Sequence, residues 1–482
     1  MIKFFKRNWQ LLSAFLISLV MFFPSLFKFY THDDFYFLKI ANTHSISGFL
    51  NFFNLVKDTE GIGVYRPLTL RVYYFLGSNL FNFNPIPLRI ISFITFFAII
   101  FLVGKLAKLL TGNAKIGVLS SFLYAVSVTH FGQLYYIGAF QELFLTMLFL
   151  ASVIFFVKYE IDTKAKHSSR NLILSFLFFI LTLMSKETGV VLPVIFVLTH
   201  FYLKITRQAK VSIKKLMFFL LPYAATLIIY LTLHFFSFGL IKGDSYVWDF
   251  SIKRAVNTAV WYFLWSLNLP EMLIDFIGPG IHLNPNLLKY WSKDIVPIFV
   301  LFVIQTSLAV YAFFKSKILK NTHVILFSIS WFLVTLSPIV FLPLHKFTYY
   351  LTLPLIGVVF LLSYMFLNIK SKTSILFCIV WLSVSAVSLR LTVETNWITR
   401  GVDTSKRVYT YFEENRLALA SKNIVFVDTP EDETLPWSPT ETLKTVLSGN
   451  NFFEVFYPDL SSRVSYSGKG DIEIKSRKFL GY

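Results

Sequence analysis

The 482-residue chain has a single cysteine, Cys378, set in an apolar run, so no disulfide can form within it and cysteine usage says nothing about its redox compartment. Charge is scarce: Asp, Glu, Lys and Arg make up 15% of the residues, with 26 acids against 45 bases. There is no Gly-rich phosphate loop, no HxxxH or HExxH spacing and no Ser or Cys nucleophile motif, which argues against a P-loop enzyme, a helix-borne zinc site and triad chemistry. Strand-length alternating segments are missing too, which removes the pattern a membrane β-barrel requires. Internal repeats and low-complexity tracts are also lacking.

What the chain does have is apolar sequence, with 55% hydrophobic residues and a mean hydropathy of +0.63. No soluble core absorbs that much, so the expected fold is an all-α polytopic membrane bundle. Apolar runs fall near 10–27, 88–106, 116–133, 139–157, 171–185, 188–203, 216–236, 295–314, 323–342, 349–367 and 373–390, giving eleven expected spans. The first has the polarity of a signal peptide, with Lys3, Lys6 and Arg7 ahead of Leu11 to Phe23. It lacks a small-x-small cleavage site and is read as an uncleaved span.

Loop charge sets the topology. With the N-terminus in the cytoplasm, the cytoplasmic connections contain Lys105, Lys108 and Lys115, then Lys158 to Arg170, Lys204 to Lys215, Lys315 to Lys320, and Lys370 with Lys372. All are Lys/Arg-rich, as positive-inside orientation demands. Residues 391–482 hold 11 Lys+Arg against 13 Asp+Glu, a net of −2, so the first 390 residues carry +21 and the whole chain +19. Topology accounts for this basicity better than nucleic-acid binding, and no nucleic-acid partner is expected.

The expected organisation is a membrane domain over 1–390 and a small extracytoplasmic α/β domain over 391–482. The membrane domain carries outer loops at 28–87 and 237–294. In the tail, Thr404 to Ala420 reads as an amphipathic helix and Pro439 to Leu447 as a short one. Asn423 to Val427, Phe452 to Tyr457 and Asp471 to Ile474 read as strands. Ala255 to Leu269 is apolar but short and ends at Pro270. It reads as a re-entrant or interfacial helix with Trp261 and Trp265 at headgroup depth, and a full crossing would raise the span count to 12 or 13.

Ionisable residues gather where spans emerge on the outer side: Asp33 and Asp34 after the first, Glu142 just inside the fourth, Lys186 and Glu187 between the fifth and sixth, His345 and Lys346 before the tenth. Arg66 lies in the first outer loop. Each has a bland reading: Asp33 as a helix cap, Lys186-Glu187 as a polar hairpin turn, His345-Lys346 as interfacial anchors. Their coincidence at one face, in a chain poor in charge, points to an active site there. His32 with the two aspartates, completed by His130 or His345, is the lesser, metal-binding alternative.

Five motifs in order resemble the GT-C superfamily of membrane glycosyltransferases, among them protein O-mannosyltransferases, TMTC-type mannosyltransferases and bacterial aminoarabinose transferases. They are His32-Asp33-Asp34, Tyr65-Arg66-Pro67-Leu68-Thr69, Gly138-Ala139-Phe140-Gln141-Glu142, Ser185-Lys186-Glu187-Thr188-Gly189, and Lys346 through Tyr349-Tyr350 to Pro354. Ala139, Glu142 and Lys346 depart from the Arg, Asp and Arg of the family pattern.

The resemblance implies a polyprenyl-phosphate-linked sugar donor, a protein or glycan acceptor, contact with membrane lipid, and inverting transfer on the extracytoplasmic side of the plasma membrane. No cofactor is expected. Asp33, with Asp34 second, is the expected general base. Arg66, Lys186 and Lys346 are expected partners of the phosphate, and Glu142, Glu187 and His345 would orient those groups or the sugar. The rival reading is a transporter or lipid-linked-sugar flippase, which would want broken helices and charges at mid-membrane. A polymerase or ligase would want a large late outer loop rich in Arg and His, and 343–348 is too short for that.

Overall fold

The computed structural model describes residues 2–56, 63–162, 165–239, 243, 245–278 and 282–481. Parts of both outer loops, 57–62 in the first and 240–242, 244 and 279–281 in the second, lie outside the described residues.

Long apolar helices dominate, and their ends follow from local sequence. The helix Pro85–Thr111 starts where the Asn84 side chain accepts from the Ile86 amide (3.0 Å) and Pro85 supplies a preset first residue. It stops at Gly112, which takes the left-handed φ of 69°. Eight helices among the described residues are long and apolar enough to cross a membrane: Gln10–Phe27, Pro85–Thr111, Ile137–Ile161, Glu187–Ile205, Ile213–Ser237, Asn286–Lys315, Ile318–Leu336 and Ser371–Thr395. The other three expected spans fall on less regular pieces. One is the pair Ala114–Ala125 and Val128–Tyr135, bent by 55°, and the others are the shorter apolar helices Ser168–Leu183 and Leu355–Leu367.

The first outer loop is largely helical, with Asp33–Ala41, Ile46–Asn51 and wide-turn helices at Pro67–Val72 and Leu76–Leu80. In the second outer loop the helix Ile252–Ser266 turns Trp265 fully inward. Trp265 packs edge-on to Tyr262, in a cluster with Leu336, Tyr350 and Leu351. Both tryptophans are therefore packed against protein.

The helix Ser371–Thr395 runs past the expected boundary at 390 and breaks at Asn396, whose side chain accepts from the Ile398 amide (2.9 Å) to open Trp397–Glu414. Beyond it lies a three-stranded parallel sheet with Ile424–Val427 at its centre, flanked by Val464–Ser465 and Ile472–Lys475. The expected strand over Phe452 to Tyr457 is instead the helix Asn451–Phe456. Apolar residues at 452, 453, 456 and 457 share one helical face, and that face buries Phe452 and Phe453 where a strand would have split them between two sides. This face meets the first outer loop: Phe35 packs edge-on to Phe452 and Phe29 lies 5.6 Å from Phe456, so one apolar core runs from the helices into the C-terminal segment.

Candidate active site

Two stretches far apart in sequence are joined at the backbone. The Leu68 amide donates to the Met184 carbonyl (3.3 Å), and the Thr69 hydroxyl to the Ser185 carbonyl (2.6 Å). This sets Arg66 against Glu187. Arg66 Nε donates to both carboxylate oxygens (3.0 and 2.8 Å), one terminal nitrogen lies 2.7 Å from Oε2, and Nη1 donates to Gln141 Oε1 at 2.5 Å. A planar guanidinium makes such a fork and a lysine cannot. Gln141 is held in turn by donating to the Gly138 carbonyl (3.0 Å).

Lys186, next to Glu187, turns the other way and pairs with Glu142, and both side chains are only 5% exposed. Glu142 sits in the first turn of Phe140–Ile161, where helix amides favour a carboxylate. The Lys186 ammonium also lies 4.4 Å from the Tyr350 ring centre. Burial pulls the Lys186 pKa down and Glu142 opposes it. Tyr350 continues the network through its hydroxyl, 2.7 Å from His345 Nε2, while His345 Nδ1 lies 2.6 Å from the Ser245 hydroxyl. Burial, followed by the Lys186 and Arg66 charges, lowers the His345 pKa to about 3, so it is a neutral bridge and not a third cation.

A cavity of about 290 Å³ opens onto this network, lined by Arg66, Lys186, Glu187, Tyr246 and Tyr350 and by apolar residues of Ile213–Ser237 such as Leu231 and Phe235. The sequence motifs at 66, 142, 186–187 and 345 therefore meet at one place. Each of its two cations is already balanced by a carboxylate.

The paired aspartates part company. Both lie in the first turn of Asp33–Ala41, with adjacent side chains about 100° apart around the axis. Asp34 is fully buried, accepting from the Tyr74 hydroxyl (2.6 Å) and the Thr31 amide (3.0 Å). Burial outweighs those two bonds and raises its pKa to about 7. Asp33 is exposed.

Lys346 is the expected phosphate partner that the structure sets apart. Glu271 accepts from the Thr348 amide (2.7 Å) and hydroxyl (2.6 Å). His345 then faces Tyr350, while Lys346 lines a different cavity, about 720 Å³, with His32, Glu271, Trp397 and Arg400. The three histidines of the metal alternative sit in separate settings: His32 Nδ1 against the Thr31 hydroxyl (2.8 Å), His130 Nε2 against the Tyr124 carbonyl (2.8 Å), and His345 as above. Among the described residues no three His, Cys, Asp or Glu side chains gather as a metal site would require.

Arg89 escaped the reading of the sequence. It is 1% exposed and donates to the carbonyls of Lys28 (2.7 Å), Phe29 (2.9 Å), Leu134 (2.9 Å) and Tyr135 (3.4 Å). It thereby ties the segment before the aspartates to the segment before Tyr136. The available signal was a lone arginine inside an apolar helix, where a charge is costly unless fully partnered. Gln141 and Tyr350 lay inside quoted motifs, with nothing in the pattern to mark them.

No curated protein and no solved structure matches the chain. A family does match, over residues 66–235, a region that includes Arg66, Glu142, Lys186 and Glu187 but not the aspartates, His345 or Lys346. Over that region the chain carries the sequence pattern of the dolichyl-phosphate-mannose-protein mannosyltransferase family, a membrane glycosyltransferase family of GT-C type.

Proposed function

We propose that the protein moves a sugar from a polyprenyl-phosphate donor to an acceptor hydroxyl at the extracytoplasmic face of the membrane, with inversion. The observation that carries this reading is the meeting of the Arg66–Glu187 and Lys186–Glu142 pairs at one cavity, within the stretch that matches the mannosyltransferase family.

In the proposed step the acceptor oxygen attacks the anomeric carbon, its proton passes to Asp33, and the bond from that carbon to the phosphate oxygen breaks. The electron pair leaves with polyprenyl phosphate, which gains one negative charge. Arg66 and Lys186 are the groups proposed to stabilise that charge. Their carboxylate partners keep the site near neutral, so an arriving phosphate monoanion adds one charge where two cations are already placed. Asp33 suits the role of base better than Asp34, because it stands at an exposed position while Asp34 is fully buried with both oxygens accepting hydrogen bonds. His345 and Glu187 act by holding Tyr350 and Arg66. Lys346 is proposed to meet the acceptor side, since it lines the neighbouring cavity. No step calls for a metal or cofactor.

The proposed orientation has the N-terminus in the cytoplasm and eleven crossings of the plasma membrane, with 391–482 as an extracytoplasmic α/β domain. The acceptor is a protein or a glycan. Reconstitution into liposomes with radiolabelled polyprenyl-phosphate mannose and a panel of hydroxyl acceptors tests the reading. Transfer by the wild type, abolished in Asp33→Asn, supports it. Full transfer in an Asp33→Asn, Asp34→Asn double variant overturns carboxylate catalysis.

A further inference from the structure

The residue immediately before the aspartates has an unusual backbone. His32 sits at φ 52° and ψ −126°, a conformation that side-chain-bearing residues rarely adopt and that persists only where surroundings enforce it. Those surroundings come from the far end of the chain. The His32 amide donates to the Val446 carbonyl (2.8 Å). Its imidazole is packed edge-on by Trp397 at 4.9 Å. Gly401 presses so closely that a Cβ there would lie 2.5 Å from both His32 Cε1 and the Thr31 hydroxyl. Lys28 pairs with Asp403 (2.7 Å) and Lys39 with Glu454, which ties both flanks of the segment to the same partner.

We propose that the C-terminal segment is a positioning element for the active site: it enforces the strained turn at His32 and so fixes where Asp33 and Asp34 point. From the other side the turn is closed by Asp34 accepting from the Thr31 amide (3.0 Å), so the two carboxylates and the C-terminal contacts share one rigid loop. The proposal rests on the reading of Asp33 as the base. The contacts of residues 397–446 with this loop fall on Lys28, Thr31 and His32, away from Arg66 and Lys186. The lock therefore acts on proton transfer and not on donor affinity.

The test uses the full chain in nanodiscs, with polyprenyl-phosphate mannose as the probe. It combines amide exchange over 31–41, donor affinity and transfer kinetics for Gly401→Val, His32→Val and His32→Gly. In Gly401→Val, exchange should rise and kcat should fall, each about tenfold or more, with donor Kd within roughly threefold of wild type. His32→Gly, which accepts positive φ freely, should lose less activity than His32→Val by about tenfold. Unchanged exchange in Gly401→Val overturns the lock, as does a kcat loss as large for glycine as for valine, which would assign the effect to the imidazole. Should Gly401→Val fail to fold, the His32 pair decides alone. If wild type transfers no sugar, the transferase reading falls while exchange still decides whether the C-terminal segment holds the turn.

Discussion

Arg66 and Glu187, 121 residues apart, face each other in a fork in which Arg66 Nε donates to both carboxylate oxygens and a terminal nitrogen closes the pair at 2.7 Å. Only a guanidinium fits both this fork and the Gln141 oxygen. Arg66→Lys keeps the charge but loses the geometry, and it should lower kcat/KM for the polyprenyl-phosphate donor by about 10²-fold, measured by transfer assay. Arg66→Ala removes the main partner of the half-buried Glu187 carboxylate and should also destabilise the fold by about 1–3 kcal/mol, seen as a fall in the thermal midpoint in detergent.

The Lys186–Glu142 pair is buried on both sides, so its members depend on one another. Lys186→Met alone strands a carboxylate, and Glu142→Gln alone strands an ammonium. Each should cost about 3–5 kcal/mol, and the double variant should recover about 1–3 kcal/mol relative to the sum of the singles. Transfer should stay low in the double variant, because the cation is gone. Thermal midpoints together with transfer rates check both halves.

The two aspartates should separate by assay. Asp33→Asn, at an exposed position, should leave the thermal midpoint unchanged while transfer falls by about 10²–10⁴-fold.

Asp34 should announce itself through pH. Its folded pKa of about 7 lies above the ordinary carboxylate value, so folding takes up a proton between the two. The Asp34 contribution to stability is then greatest below the unfolded pKa and declines as pH rises towards about 7, by up to about 1.4 kcal/mol per unit. His345, held neutral by burial with a pKa of about 3, contributes with the opposite sign, so the readout is the difference in thermal midpoint between wild type and Asp34→Asn from about pH 4.5 to 8, in which the wild type's margin should shrink as pH rises.

Arg89 donates to four backbone carbonyls. Arg89→Met strands those acceptors and should lower stability by about 3 kcal/mol or more. Arg89→Lys, with a single ammonium, should recover only part of it. The thermal midpoint reads the difference.

Much of this was legible in the chain because the membrane imposes a one-dimensional code. Apolar length, the lysines of alternate loops and the scarcity of charge elsewhere announce a helical bundle and mark one face as chemically different. Arg66, Glu142, Lys186, Glu187 and His345 stood out for the same reason: an ionisable group near hydrocarbon needs a partner, and few were available.

The pairings themselves could not be read. Nothing in the order of residues says that Arg66 takes Glu187 while Lys186 takes Glu142, that Asp34 is sealed while Asp33 is open, or that Lys346 turns into another cavity from its neighbour His345. Phe452 to Tyr457 shows the same limit in the fold: aromatic and β-branched residues favour a strand locally, and burial against Phe35 makes them a helix. Composition and periodicity fix what each segment must avoid, which is water for its apolar faces and lipid for its charges. Which partner satisfies each group depends on contacts between residues tens to hundreds of positions apart, and these exist only once the helices have packed.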